Sequence, residues 1–221
     1  MISPRPSILI LAAGASSRMR GADKMLEIVD GVAQIRRITE AALATGCPVT
    51  VTLPPDHPAR VVALAGLAAR QVIVTDARAG MAASIRAGLA TLPPAAAVLV
   101  VLADLPELTE ADLRTMLAAQ GETPDLIIRA CSASGLPGHP VCFPPWARAE
   151  LAALSGDTGA RDLLARHTAL VRAVALPGRH AVTDLDTPEA WAAWRAGNHP
   201  MPEQRQPCPP RPRPSALSAP A

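Results

Sequence analysis

Six consecutive apolar residues, Ile8-Leu-Ile-Leu-Ala-Ala13, lead directly into Gly14 and a loop of small and basic residues that ends at Lys24. A strand with no polar alternation has both faces covered, and layered α/β packing supplies that cover. The pattern predicts a strand over Ser7–Ala12, a loop over Gly14–Lys24, and an amphipathic helix through Ile35, Ile38 and Ala42 that ends near Gly46. Further short strands are expected at Val49–Leu53, Gln71–Val74, Val98–Leu102, Leu126–Arg129 and Val171–Leu176, with helical stretches between most of them. Alternation of this kind predicts an α/β fold: a three-layer α/β/α sandwich around a mostly parallel, mixed sheet.

Two helix starts are marked. Thr109-Glu-Ala-Asp112 forms a box-like start before Leu113, and Thr187 precedes Pro188 at the first helical position. At 221 residues, about half of them apolar, the chain can bury one sizeable core. One domain over residues 1–197 is expected. Beyond Gly197 the chain turns to Pro, Arg, Ser and Ala, with eight prolines between positions 200 and 220. Residues 198–221 therefore read as a Pro-rich disordered tail.

The formal charge of +2 comes from that tail, where Arg205, Arg211 and Arg213 outnumber Glu203, and the rest is neutral. With one Phe, three Trp and no Tyr, the chain lacks the basic face and stacking aromatics of nucleic-acid binding. The four cysteines (Cys47, Cys131, Cys142, Cys208) show neither C-x-x-C pairing nor zinc spacing, so buried or idle thiols are expected. No apolar run approaches the roughly 20 residues that span a bilayer, and Ile8–Ala13 lacks a cleavage region. A cytoplasmic protein is the expectation.

Ligands of open α/β sheets sit beyond the carboxyl ends of the strands, which draws attention to Leu11-Ala-Ala-Gly-Ala-Ser-Ser-Arg-Met-Arg-Gly-Ala-Asp-Lys24. Its small residues let backbone N–H groups approach phosphate oxygens, while Arg18 and Lys24 add positive charge. The spacing fits neither the P-loop nor the dinucleotide Gly-x-Gly-x-x-Gly pattern. Among twenty arginines Lys24 is the one lysine. Its compact ammonium donates to phosphate as a point charge, which a planar guanidinium does not reproduce. Asp104 ends the most apolar strand, where a carboxylate faces the ligand crevice. Asp184 and Asp186, two apart on an extended segment, point the same way. His139 is expected in a Gly/Pro loop as a base, a ligand or a structural hydrogen-bonder. Arg161 reads either as a bidentate phosphate fork or as a surface charge at a helix start.

Leu-Ala-Ala-Gly-x-Ser-x-Arg-Met followed by Lys24 resembles the MobA-like nucleotidyltransferases, above all their molybdenum-cofactor cytidylyltransferase branch. Gly80-Met-Ala-Ala-Ser84, Leu102-Ala-Asp-Leu-Pro106, Gly138-His-Pro140, Gly156-Asp-Thr-Gly-Ala-Arg161 and Asp184-Leu-Asp-Thr-Pro188 are similar to the family's later motifs and extend the resemblance over residues 7 to about 195. The resemblance implies a Rossmann-like, GT-A-like nucleotide-diphospho-sugar transferase fold and Mg²⁺ as cofactor, held by Asp104 and Asp186. It implies a catalytic set of Arg18, Lys24 and Asp104. Leu11, Ala12, Ala13, Gly14, Ser16, Arg18, Lys24, Gly80 and Ser84 are implied to bind the nucleotide, and His139 and Arg161 to face the acceptor.

The implied reaction is in-line attack of an acceptor phosphate on the α-phosphorus of a nucleoside triphosphate, with pyrophosphate leaving. The nucleophile is already ionised at neutral pH, since the second pKa of a phosphate monoester is about 6, so no general base is required. Ala13 stands where the guanylyl branch carries Gly, which makes CTP the expected nucleotide and GTP the second. Molybdenum-bound molybdopterin is the implied acceptor, and a recipient molybdoenzyme a possible partner. Arg20-Gly21-Ala-Asp-Lys24 stands where the family's simpler Gly-x-x-Lys is expected directly after Met19, and this departure leaves a sugar-1-phosphate acceptor open. A carrier or chaperone that hands the cofactor on without turnover is the alternative of another class.

Overall fold

The computed structural model describes residues 4–156 and 159–197. The Pro-rich segment 198–221 lies outside the described residues, as do Asp157 and Thr158 of the Gly156–Arg161 motif.

The opening apolar run forms β1 (Ser7–Leu11), followed by two 3-10 turns and a two-residue hairpin, β2 (Ile28–Val29) and β3 (Val32–Ala33). The hairpin turns on Asp30-Gly31, both at positive φ (52° and 85°), the backbone that an Asp-Gly pair accepts most easily. Helix α1 (Gln34–Ala44) then leads to β4 (Val49–Leu53), α2 (Pro58–Ala63), β5 (Arg70–Ile73), α3 (Met81–Leu89) and β6 (Val98–Leu102). The remainder is α4 (Glu110–Glu122), β7 (Ile127–Cys131), β8 (Pro137–Phe143), α5 (Arg148–Ala152), α6 (Arg161–Arg166), β9 (Val171–Ala175) and α7 (Pro188–Arg195).

Seven strands make one sheet in the order β5-β4-β1-β6-β8-β7-β9. All pairings are parallel except those of β8, which runs against both β6 and β7. Successive residues of β1 serve opposite faces, as the pleat requires. Ile8 and Ile10 pack with Ile35 and Ile38 of α1 and Leu113 and Met116 of α4. Leu9 and Leu11 pack with Ile85 and Leu89 of α3, Leu151 of α5 and Leu163 of α6. This is the expected α/β/α sandwich, and its doubly covered central strands account for the unbroken apolar runs.

Both marked helix starts form as read. Thr109 accepts from Asp112 N, and the Asp112 carboxylate takes the Thr109 N–H in return, closing a capping box on α4. Thr187 caps α7 through Ala190 N. Trp191 of α7 is fully buried, donates Nε1–H to Leu185 O (3.1 Å), and packs with Met19, pinning the loop after β1 to the C-terminal helix.

Besides the short β2–β3 hairpin, one strand of the main sheet was not expected. Pro137, Gly138 and Pro140 give residues 135–140 the composition of a loop, yet 137–143 is β8, so His139 stands on a strand. The glycine is sterically required there: a Cβ on Gly138 would lie 1.9 Å from Ala181 O. The same close approach lets His139 N–H donate to that carbonyl at 2.9 Å.

Cys131 and Cys142 are buried thiols and Cys47 is half-buried, none of them in a disulfide; Cys208 lies outside the described residues. Burial, with a smaller contribution from Cys47, pushes the Cys142 thiol far above its ordinary pKa, so it stays protonated. Among the described residues no helix is long and apolar enough to cross a membrane.

Candidate active site

The parallel strands all end on one edge of the sheet, and the reversed β8 begins there, because Pro137 pairs with the last residue of β7, Cys131. Loops from both halves of the chain therefore meet around a cleft of about 360 Å³. Arg18, Lys24, Asp104, His139, Arg161 and Asp186 all line it. Sequence separations of up to 168 residues are thus closed into one site. Asp184, the neighbour of Asp186 in the acidic pair, also lines it, as does Arg129 from β7, which sequence reasoning missed. Behind the charged groups the floor is apolar, formed by Ile85, Val100, Val141, Phe143 and Leu164.

At the centre, Lys24 Nζ lies 2.6 Å from Asp104 Oδ2 and 2.7 Å from Asp186 Oδ1. Burial alone would depress the ammonium's pKa, but the charges and hydrogen bonds of the two carboxylates outweigh it and raise the value. Lys24 is therefore a fixed cation at neutral pH. The other oxygen of Asp186 takes Arg18 Nη2 at 2.7 Å. The Arg18 side chain is 69% exposed, so solvent screens that pair and its worth is small. Asp104 Oδ1 is buried and accepts no hydrogen bond, an anionic oxygen with capacity to spare.

Of the residues expected to bind the nucleotide, Arg18 and Lys24 line the cleft, while Leu11, Ala12, Ala13, Gly14, Ser16, Gly80 and Ser84 do not. Leu11, Ala12 and Ala13 are buried. Ala13 packs with Val74 and with Ala83 of α3, which joins the loop to the Gly80–Ser84 segment. Gly80 precedes α3 with φ 94°, while the Ser84 side chain is buried within the helix layer. Gly14 is exposed, its φ is not positive, and a Cβ there would meet no atom within 4 Å.

Beneath the loop lies a residue that sequence reasoning missed. Arg60 of α2 is fully buried and reaches across to the loop. Its Nε and Nη2 donate to the two oxygens of Asp23 at 2.7 and 2.9 Å, and Nη1 donates to Ala12 O and Gly14 O at 2.6 and 2.8 Å. A further bond runs from Nη2 to Ser16 Oγ at 3.1 Å. Burial raises the pKa of Asp23, but Arg60, the Met25 N–H and the Ser16 hydroxyl together hold it below the ordinary value. No signal in the linear sequence singles out one arginine among twenty for this role.

The MobA-like NTP transferase domain matches residues 8–171. Of solved structures, Rv0371c from Mycobacterium tuberculosis H37Rv is 29% identical, with 88% of this chain and 98% of that chain covered and a TM-score of 0.75. The complex of Rv0371c with manganese gives 27% identity, coverage of 86% and 97%, and a TM-score of 0.72. A CMP:2-keto-3-deoxy-manno-octonic acid synthetase complexed with CTP is 14% identical over 87% of this chain and 98% of that one, with a TM-score of 0.68, a likeness of fold. A search of curated proteins finds no match.

Proposed function

Since this chain belongs to the MobA-like NTP transferase family and is a nucleotidyltransferase of it, we propose that it transfers CMP from CTP to the phosphate of molybdenum-bound molybdopterin, with Mg²⁺ as cofactor. The observation that carries the reading is the triad Asp104–Lys24–Asp186 at the mouth of a cleft that also holds Arg161. It combines carboxylates for a dication, a fixed ammonium for triphosphate oxygens, and a guanidinium on the acceptor side.

The residues fit a divalent ion. Mg²⁺ takes one or two carboxylates and completes its shell with water and substrate phosphate. Asp104 and Asp186 offer two carboxylates, and Asp104 Oδ1 is buried and unused. Manganese bound in the complex of Rv0371c supports a divalent ion here. When bound, the ion supplies charge neutralisation at the α-phosphate and the leaving pyrophosphate.

This chain's own residues do the rest. Lys24 and Arg18 hold triphosphate oxygens, and Gly14 leaves room for close approach of its backbone, since nothing within the protein requires a glycine there. An acceptor phosphate oxygen bonds to the α-phosphorus as the bond to the pyrophosphate oxygen breaks, so the acceptor gains a nucleoside monophosphate and pyrophosphate departs. Orientation and fixed charge suffice, because the nucleophile arrives ionised. Arg129 and Arg161 suit an anionic acceptor, and the apolar floor suits a ring system above it. Packing of Ala13 on Ala83 supports these segments acting together in choosing the base, with GTP as the second nucleotide. A substrate pair of this kind belongs to the cytoplasm.

The test incubates purified protein with Mg²⁺, each of the four nucleoside triphosphates and molybdenum-loaded pterin cofactor, and follows pyrophosphate release beside an Asp104→Ala control. Release with CTP alone, lost in the control, supports the proposal. Release with GTP alone keeps the mechanism and overturns the base. Cofactor binding without turnover of any triphosphate overturns transfer in favour of a carrier.

A further inference from the structure

The fully buried Arg60 shows no path to the cleft, and yet five of its hydrogen bonds end on residues 12–23. An arginine taken out of water needs its charge answered, and Asp23 answers it with a two-pronged pair. The remaining donors go to two carbonyls that a turn of small residues has no other means of holding in place.

Peptide geometry gives those two bonds a consequence. In a trans peptide the C=O and the following N–H point in opposite directions within one plane. With Ala12 O and Gly14 O directed at Arg60, the N–H groups of Ala13 and Ala15 are turned away from it, toward the outer side of the loop. Ser16 at the next position sits in the left-handed region, with φ 50° and ψ 30°, and its hydroxyl is held between Arg60 and Asp23. A non-glycine residue in that conformation is strained and persists when its surroundings enforce it.

We propose that Arg60 is a positioning residue for the nucleotide: from beneath the loop it draws alternate carbonyls inward so that the intervening N–H groups face the triphosphate. The proposal rests on reading the loop as the nucleotide cradle. His57 Nδ1, 3.3 Å from Asp23 Oδ2, closes the same cluster from the turn that begins α2. Helix α2 therefore acts on the site through the loop, without touching substrate.

The test compares the wild type with Arg60→Lys, which keeps the charge but loses the fork, and with Asp23→Asn, which loosens the clamp from the loop side. Three readouts are taken: triphosphate affinity by calorimetry, KM and kcat for transfer, and hydrogen exchange of residues 12–24 against the rest of the chain. Arg60→Lys is expected to weaken triphosphate affinity and raise its KM by at least about tenfold while kcat stays within about threefold, the pattern of lost binding. Loop amides exchange faster while the sheet stays protected. Asp23→Asn shifts the same readouts in the same direction by less, and it decides the matter if Arg60→Lys does not fold. Unchanged triphosphate affinity in a folded variant with a loosened loop overturns the role of Arg60. A wild type that binds no triphosphate overturns the cradle reading instead.

Discussion

Lys24 Nζ and Asp104 Oδ2 stand 2.6 Å apart, with Asp186 Oδ1 2.7 Å from the same ammonium, so the one lysine of the chain lies between the two carboxylates proposed for the metal. On the proposed reading, a dication held by Asp104 and Asp186 would compete with the Lys24 ammonium for these carboxylates, and Lys24 would turn toward the triphosphate. Lys24→Met is expected to lower kcat/KM by about 100- to 1,000-fold, the usual loss for a preorganised donor at a reacting phosphate. The same variant should bind Mn²⁺ more tightly than wild type in the absence of nucleotide, read as loss of the free-ion signal in an electron paramagnetic resonance titration. Weaker Mn²⁺ binding would show that the ammonium does not compete with the metal.

Ala13 offers its methyl group to Val74 and Ala83 and to nothing in the cleft. Ala13→Gly loosens that contact and lets the loop shift against α3. The ratio of kcat/KM for GTP over CTP is expected to rise about tenfold, near the low end of what one methylene contributes to discrimination. Parallel pyrophosphate-release assays with the two triphosphates check it, and an unchanged ratio would remove Ala13 from base selection.

Arg161 is the first residue of α6 and lines the cleft, where it is proposed to meet the acceptor. Hydrogen bonds to a charged group contribute about 1.5–3 kcal/mol, so Arg161→Ala should raise the acceptor KM roughly 10- to 100-fold. The KM for the nucleotide should stay as in wild type. A rise in both constants would place Arg161 on the triphosphate instead.

Asp23 gives the fold a defined acid limb. Its folded pKa lies below the ordinary 3.8, so the unfolded chain binds the proton more readily. The stabilisation is fully present above about pH 4 and is lost as pH falls through the lower folded value. Denaturant unfolding of wild type between pH 7 and pH 2.5 should show this loss, and Asp23→Asn should be less stable at pH 7 with a flatter acid limb. Parallel curves for the two proteins would contradict the assignment.

The parts of the structure legible in the sequence are those in which neighbours along the chain determine the outcome. Unbroken apolar runs located β1 and β6, and the β-branched run Val-Thr-Val-Thr-Leu located β4, to within a residue, and Thr109 and Thr187 located two helix starts, because pleat and cap are local relations. Lys24 stood out by residue choice alone. The parts not legible depend on partners distant in sequence. Strand β8 carries two prolines and a glycine, and it is a strand because it pairs with β6 and β7, with Gly138 packed against Ala181, 43 positions on. Arg60 acts on carbonyls 46 and 48 positions before it, and Arg129 reaches the cleft because β8 turns back beside β7.

That reversal of β8 divides the labour of the chain. The residues proposed to hold the donor, apart from Asp186, are encoded before α4, and the polar residues proposed to meet the acceptor, Arg129, His139 and Arg161, are encoded after it. Helix α4, closed at its start by its own capping box, is a natural crossover point for recombination between relatives. A lineage with this architecture can change the molecule it modifies by exchanging the second half of its gene, and keep the machinery that activates the nucleotide provided the incoming half carries an aspartate at the position of Asp186.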